Sequence, residues 1–312
     1  MADTVRIKKT AVLVKEEVAY GVDPVPTGGA NAVQLHNLSL TPMAATEISR
    51  DLIGRGLGAQ EKILAEIYEK LSCEVELAGA GAAGDVPGWA AMLKACGMGE
   101  TINAGVDVVY KPISDNIPSV TIYFYRDGNL HKMVGARGSW GLKFTAQQIP
   151  YLTFEFAGLR ATPVSEAFPT PDLSQFQKPK VVNKGNTPTS LLHGATVNPL
   201  EWTFNNQAQA EPIFLVGSES IELLDRNITG QTRILSPKLS TKDYFAIALA
   251  ETTGALQIIH GTQPGNIIQI DAPGVQLLSP NFGDHKGSET LDMGLSLVPT
   301  DTGDDEITIT VM

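Results

Sequence analysis

The stretch Lys62-Ile63-Leu64-Ala65-Glu66-Ile67-Tyr68-Glu69-Lys70-Leu71-Ser72-Cys73-Glu74-Val75-Glu76-Leu77 decides the fold. Its Glu, Lys, Leu and Ala content favours a helix by intrinsic propensity. The spacing says otherwise. Ile63, Ala65, Ile67, Leu71, Cys73, Val75 and Leu77 fall on odd positions, broken only by Glu69, while Lys62, Glu66, Lys70, Ser72, Glu74 and Glu76 fall on even ones. A period of two sustained over 16 residues is that of a strand with one apolar and one polar face. At about 3.3 Å per residue it would run on the order of 50 Å, far beyond the usual 5 to 6 residues. It needs a long partner, which Val33–Leu40 and Glu47–Ile53 can supply through a turn at Gly54-Arg55-Gly56-Leu57-Gly58. A hairpin that projects from its own core has unpaired edges, and these must be covered or paired by another copy.

Downstream lies a glycine-rich loop, Gly79 to Gly84, followed by Val86-Pro87-Gly88-Trp89-Ala90-Ala91-Met92-Leu93-Lys94-Ala95-Cys96-Gly97. Asp85 as cap, Pro87 in the first turn and Gly97 as terminator predict a short helix. Trp89, Leu93 and Cys96 share one face of it and pack on a sheet. From Ile117 the strand pattern returns, with a hairpin turning at Asp127-Gly128-Asn129 and further strands at Trp140–Phe144 and Tyr151–Ala157. Pro163–Pro188 is proline-rich and without period, which reads as a linker. Beyond it the plan repeats: a strand at Leu200–Phe204, an extended segment at Ile221–Leu235, and a short helix at Tyr244–Glu251 capped near Ser240 or Thr241. A hairpin at Ala255–Ile270 turning at Pro264-Gly265-Asn266 and strands at Thr290–Leu297 and Ile307–Val311 complete it. Gly128 to Phe156 is 28 positions and Gly265 to Leu295 is 30, so the halves keep order and spacing. The reading is a mainly β chain of two tandem sandwich or barrel domains, residues 1–165 and 191–312, joined by a linker at 166–190, each with a long projecting hairpin and a short helix.

Composition narrows the function. The 312 residues are 43% hydrophobic, and no run approaches the roughly 20 apolar residues of a membrane span. The N-terminal MADTVRIKKTAVLVKEE lacks the pattern of a secretory signal, which implies synthesis in a cytoplasm. Cys73 and Cys96 do not make a disulfide framework. The net charge of −11 is uneven: residues 1–165 carry 15 basic and 17 acidic groups, and residues 166–312 carry 8 and 17. A protein that grips DNA phosphates carries the opposite excess, whereas a channel wall that repels DNA fits this balance.

The motif Gly79-Ala80-Gly81-Ala82-Ala83-Gly84 matches GxGxxG, and Asp107 lies where a ribose-binding acid would be sought. A dinucleotide site, however, asks for a buried parallel strand and a helix that starts within the glycines, and here the strand has a charged face and Pro87 follows the motif. His36, His131, His193, His260 and His285 are scattered, with no metal-ligand spacing. Asp304-Asp305-Glu306 lacks the alternating oxygens of a calcium loop. There is no GxSxG, HExxH or Walker motif, so neither a catalytic residue nor a cofactor or metal is expected.

The order of pieces resembles the tail tube proteins of long-tailed siphophages. The resemblance rests on Glu74-Val75-Glu76-Leu77, the glycine loop, then Pro87, Trp89, Leu93 and Ala95-Cys96-Gly97, with Arg50-Asp51-Leu52 and Gly56-Leu57-Gly58 upstream. Asp243-Tyr244-Phe245-Ala246, Thr253-Gly254-Ala255-Leu256, His260-Gly261-Thr262, Gly265-Asn266 and Asp271-Ala272-Pro273 look like the same family's closing region. Met92-Leu93 stands where the family more often has two leucines. The resemblance implies a structural virion protein, assembled in the host bacterial cytoplasm, that stacks in rings to form the tail's channel for genome delivery. Its partners would be itself, the tape measure protein, the tail terminator and the distal tail or baseplate proteins, with DNA passing without specific binding. Two tube domains per chain imply rings of three chains with pseudo-sixfold symmetry; a hexamer with one tube domain and one decorating domain is the other arrangement. Lys62, Glu66, Lys70, Glu74 and Glu76 on one face and Ile63, Ile67, Leu71 and Val75 on the other would form the subunit contacts and the lumen wall. The rival classes are a tandem β-domain ligand-binding protein or enzyme using the Gly79–Gly84 loop, and a baseplate or secretion-tube ring protein.

Overall fold

A computed structural model of the chain describes residues 4–54 and 57–312. The first half contains β1 (Thr10–Glu16), α1 (Gly28–Asn31), β2 (Ala32–Val33), β3 (His36–Ser49), β4 (Lys62–Glu76), α2 (Ala90–Lys94), β5 (Met98–Asn103), β6 (Asp107–Pro112), β7 (Val120–Arg126), β8 (Asn129–Thr145), β9 (Tyr151–Arg160) and β10 (Val164–Ser165). The second contains β11 (Thr189–Leu192), β12 (Ala195–Thr196), β13 (Pro199–Asn205), β14 (Ala210–Leu215), β15 (Ser218–Leu223), β16 (Thr229–Leu235), α3 (Tyr244–Leu249), β17 (Thr253–His260), β18 (Ile268–His285), β19 (Ser288–Leu297) and β20 (Thr308–Val311). The chain is mainly β.

The long alternating stretch is β4, so period prevailed over helix propensity: its odd side chains from Leu71 onward are buried, and propensity yields to that packing. Its partner is β3, paired antiparallel from His36↔Glu74 to Ser49↔Lys62 with bulges between Thr41 and Thr46. The expected turn at Gly54–Gly58 includes residues 55 and 56, which lie outside the described residues. At the β7–β8 turn, Asp127 and Gly128 both take positive φ, 45° and 95°, the pair of angles that a tight two-residue hairpin requires.

Strand pairing runs β3–β4–β9–β8–β7–β1 in the first half, with β2 on the outer side of β1. In the second half it runs β13–β16–β19–β18–β17–β11, with β12 on β11. The same order therefore occurs twice, with α2 after β4 and α3 after β16. The halves join through one ladder: the end of β8 pairs β13 antiparallel, Gly141–Thr145 against Asn205–Glu201. A second connection runs through β20, which pairs both β18 and β6.

Both halves feed one apolar cluster. Trp89, Trp140 and Trp202 are all buried in it, with Trp202 stacked on Phe204 at 6.1 Å between ring centroids. Beneath the junction Trp140 N donates to Asn206 Oδ1 (3.0 Å), Asn206 Nδ2 donates to Cys96 O (3.0 Å) and Trp202 Nε1 donates to Ser190 Oγ (3.3 Å), while the buried Trp140 Nε1 makes no hydrogen bond among the described residues. Buried donors left without partners would cost more than these bonds contribute, so Asn206 fixes how the halves meet.

Several local expectations are corrected. Helix α2 starts after Trp89, which occupies the cap position without a side-chain cap bond, so neither Asp85 nor Pro87 opens it. The cap of α3 is Asp243, whose Oδ1 accepts from Ala246 N at 2.9 Å, in place of Ser240 or Thr241. Ile221–Leu235 is two strands, β15 and β16, separated at residues 224–228. The proline-rich stretch is bonded along the first half: Val182 N donates to Gln148 O, Gln147 N to Val182 O, and Phe176 lies over Gly88.

Replacing Trp202 with Ala should cost about 3–5 kcal/mol, because it opens a cavity where the two halves meet. The midpoint of guanidinium unfolding measures it.

Candidate assembly and channel-lining surface

The β8–β13 ladder turns two sheets into one. Following the pairings gives β3–β4–β9–β8–β13–β16–β19–β18, eight antiparallel strands in a row. Among the described residues, one border of this row, the outer edge of β3, is unpaired. At the other border β18 pairs β17 only up to Gln276, and from Leu278 to His285 its outer edge is unpaired too. Open edges of this length in a water-facing sheet are sites for pairing with another chain.

The two faces of β4 differ along its length. Near its C-terminal end the apolar row faces the core: Leu71 and Val75 are buried. Toward the hairpin tip the same row emerges, with Ile67 half-buried and Ile63 54% exposed. The polar row stays accessible and is held by partners on β3. Lys62 Nζ pairs Glu47 Oε2 at 2.5 Å, Glu66 Oε2 accepts from Thr46 Oγ1 at 2.7 Å, and Glu74 Oε2 accepts from Asn37 Nδ2 at 2.7 Å. The Lys62 ammonium holds the Glu47 carboxyl below its ordinary range. Lys70 lies over the Tyr68 ring, and Glu76 is half-buried at the strand end. Glu66 takes a positive φ of 51° beside the β3 bulges, where the regular ladder is interrupted.

Glu69, the one acid in the apolar row, is fully buried, and neither carboxylate oxygen makes a hydrogen bond among the described residues. Arg160 Nε is the nearby cation, at 3.9 Å. Burial outweighs that attraction and pushes the Glu69 carboxyl up to about 7.

The predicted packing residues of the helix region, Trp89, Leu93 and Cys96, are all buried, and Trp89 Nε1 donates to Ala78 O at 3.0 Å. Burial also pushes the Cys73 thiol up to about 12 and raises that of Cys96, so both are poor nucleophiles.

The GxGxxG loop has a different use from the one its pattern suggests. Gly81 N donates to Gly265 O (2.8 Å), and Gly79 N donates to Asn266 Oδ1 (2.8 Å). A Cβ on Gly79 would stand 2.2 Å from Gly265 O, and one on Gly265 would stand 2.4 Å from Gly81. The glycines let two backbones from opposite halves touch, and amides that a phosphate would need are already bonded. Among the described residues no group of three or more His, Cys, Asp or Glu side chains is placed to hold a metal ion, and no helix is long and apolar enough to cross a membrane.

Two concavities flank the β18 border. One, of about 630 Å³, lies between α3 and the β18–β19 turn and is lined by Leu239, Tyr244, Phe245, Phe282 and Leu291. Phe282 is 65% exposed there, with its ring 5.2 Å from that of Phe245. The other, of about 390 Å³, is a polar groove over Gln231, Arg233, Leu278, Ser279, Asp292 and Gly294. Sequence periodicity could not find these sites, because they depend on which strand edge the chain leaves uncovered.

A sheet with a core-facing side, a polar side and two open borders defines a β-rich chain with strand edges free for pairing. The family model of phage tail tube proteins matches residues 8–311, and the chain belongs to that family. It is a structural protein of the virion tail that self-assembles into the tail tube. No curated protein matches the chain.

The carboxyl of Glu69 has a higher affinity for protons in the folded chain than in the unfolded one. Its stability term is therefore full below about 4.5 and is lost as pH rises toward about 7. Glu69→Gln should flatten this slope, with a difference on the order of 1–3 kcal/mol, read from unfolding midpoints at pH 4.5 and 7.5. Placing Asp at buried Val75 should unfold the chain, whereas Ile63→Asp should leave the monomer's unfolding midpoint within about 0.5 kcal/mol of the parent and reduce tube yield, measured by sedimentation.

Proposed function

We propose that the chain is two tube units in tandem, with boundaries near residues 165 and 191, and that three chains close into a ring of pseudo-sixfold symmetry that stacks to form the tube of a long non-contractile phage tail. The observation that carries this reading is the repeated strand order joined by the β8–β13 ladder. Eight strands per chain and three chains give 24 strands. With strands about 4.8 Å apart and tilted about 40°, a 24-stranded barrel is roughly 48 Å across its backbone, enough for a DNA duplex about 20 Å wide.

The core already occupies one face of the sheet, so the polar row of β4, Lys62, Glu66, Lys70, Glu74 and Glu76, turns toward the lumen in this ring. The net charge of −11 keeps the wall from binding phosphates, and DNA slides past without specific contacts. The ring works by geometry and charge, without catalysis. Its ends would meet the tape measure protein, the tail terminator and the distal tail proteins. A hexamer built from one tube unit and one decorating unit per chain fits less well, since it would leave the second eight-strand border without a role.

Negative-stain electron microscopy of the purified chain should show hollow rings or tubes with threefold modulation in end-on averages. Sixfold averages would favour the hexamer, and a monodisperse monomer at every concentration would overturn tube assembly.

A further inference from the structure

The β3–β4 hairpin is rooted in the sheet at one place. Strand β4 pairs β9 only from Tyr68 onward, and Arg160, the last residue of β9, marks the end of that ladder. From Lys62 to Ile67 the strand has β3 as its sole ladder partner among the described residues. At the same level β3 slips register at Thr41, Ala44 and Thr46, and Glu66 takes its positive φ. The hairpin beyond Tyr68 is therefore a two-stranded arm with an exposed tip, at Ile48, Ile53 and Ile63, and a two-stranded ribbon on its own is marginally stable in water. Its order depends on how the root is held.

The root is polar where the rest of the core is apolar. Glu69, opposite Gly158 of β9, is fully buried one residue inside it, with no hydrogen bond to either carboxylate oxygen among the described residues. Arg160 spans the root: its Nε donates to Pro42 O of β3 at 3.2 Å and lies 3.9 Å from Glu69 Oε1 of β4. Arg126 of β7 stands 4.8 Å over the Phe124 ring, and His131 of β8 meets the same ring edge-on at 6.3 Å. Arg126 Nε and His131 Nδ1 are buried and, among the described residues, also lack hydrogen-bond partners. Burial, with Arg160 and Arg126 nearby, holds His131 below its ordinary range, so it is neutral near pH 7. The other charged groups on the packed elements are engaged elsewhere. His36 and Glu47 of β3 pair Glu74 and Lys62, Lys132 and Arg137 of β8 pair Asp23 and Glu222, and Glu155 of β9, Lys143 of β8 and Glu211 of β14 are exposed.

We propose that Glu69 is the proton-operated catch of a hinge at the root of the β3–β4 arm: protonated, it lets the root close against β9, and ionised, it opens the root and frees the arm. As a neutral acid Glu69 stays in the core at modest cost. As a carboxylate it has one guanidinium at the edge of contact and no hydrogen-bond donor. Opening the ladder pairs that begin at Tyr68↔Leu159 brings it to water, and these pairs yield before the rest because they lie at the end of the sheet. Burial pushes the Glu69 carboxyl up to about 7, which places the change near neutrality. In the open root the carboxyl returns to its ordinary value, so opening is suppressed in acid, grows as pH rises from about 4.5 toward about 7, and levels off above that. The catch acts in the free chain and does not depend on how many chains make a ring.

The test is hydrogen–deuterium exchange of the full chain, diluted until it sediments as a monomer, at about pH 5 and about pH 7.5, with labelling times scaled for the pH dependence of chemical exchange. Amides of Ser39–Thr41 and Tyr68–Leu71 should open at least about tenfold more at the higher pH, while those of Gln231–Leu235 on β16, the corresponding strand of the second half, should change less than about twofold. Glu69→Gln should remove the difference and keep the root at its acid level of protection at both pH values. Equal exchange at the root in the parent at the two pH values, a rise shared by β16, or a rise retained by Glu69→Gln would each overturn the hinge. If Glu69→Gln does not fold, the parent's two profiles decide.

Discussion

Everything in this molecule is arranged around five residue pairs, Gly141–Thr145 on Asn205–Glu201, where β8 accepts β13. Without them there would be two sheets, each with its own exposed edge. With them there is one sheet whose hydrogen bonds pass from one half to the other without interruption. The ladder is protected by what lies beneath it: Trp140, Trp202 and Phe204 exclude water, and Asn206 uses both ends of its amide to tie the strand to Trp140 and to Cys96. A buried amide with its bonds satisfied tolerates no other register, which is how a weakly specified element such as a strand edge becomes a fixed joint.

The same logic explains why a further connection, beyond the β8–β13 and β20 ladders, is polar. Arg226 reaches from the second half to Ile113 O, and its guanidinium also meets Asp304 and Glu306. Five fixed donors on one side chain can hold a loop from each half and the segment before β20 together, which a lysine could not. The glycine loop adds another tie by removing side chains where Gly79 and Gly81 meet Gly265. Strand ladders, a guanidinium and a glycine contact, three different kinds of chemistry, therefore hold the halves, and none of these contacts lies on the two open borders.

Much of this was written in the residues. The alternation in Lys62–Leu77 gave a strand against its own helix propensity, and the Asp127-Gly128 turn, the last strand and the repeated order of elements were likewise legible, because each depends on neighbours in sequence. Three features were not. The caps of α2 and α3 were misassigned, since Asp243 competes with Ser240 and Thr241 by geometry that no spacing rule encodes. The break between β15 and β16 was invisible because β14 and β15 pair with each other and are removed from the main sheet by tertiary contacts. The apolar row of β4 was read as uniform, yet Val75 belongs to the core and Ile63 to the surface, a division set by where the sheet ends. The candidate surface was legible only as a hairpin with something to hide; which edge stays open depends on long-range pairing.

Carrying two units on one chain changes the chemistry of growth. In the ring proposed above, every second joint is intramolecular and forms at the effective concentration of a tether, independent of how much protein the cell has made. Only the alternate joints obey mass action, so a closed ring requires three encounters where six separate units would require six. The internal joint is also free to diverge from the external ones, so Trp202 can commit to permanent burial when the chain folds.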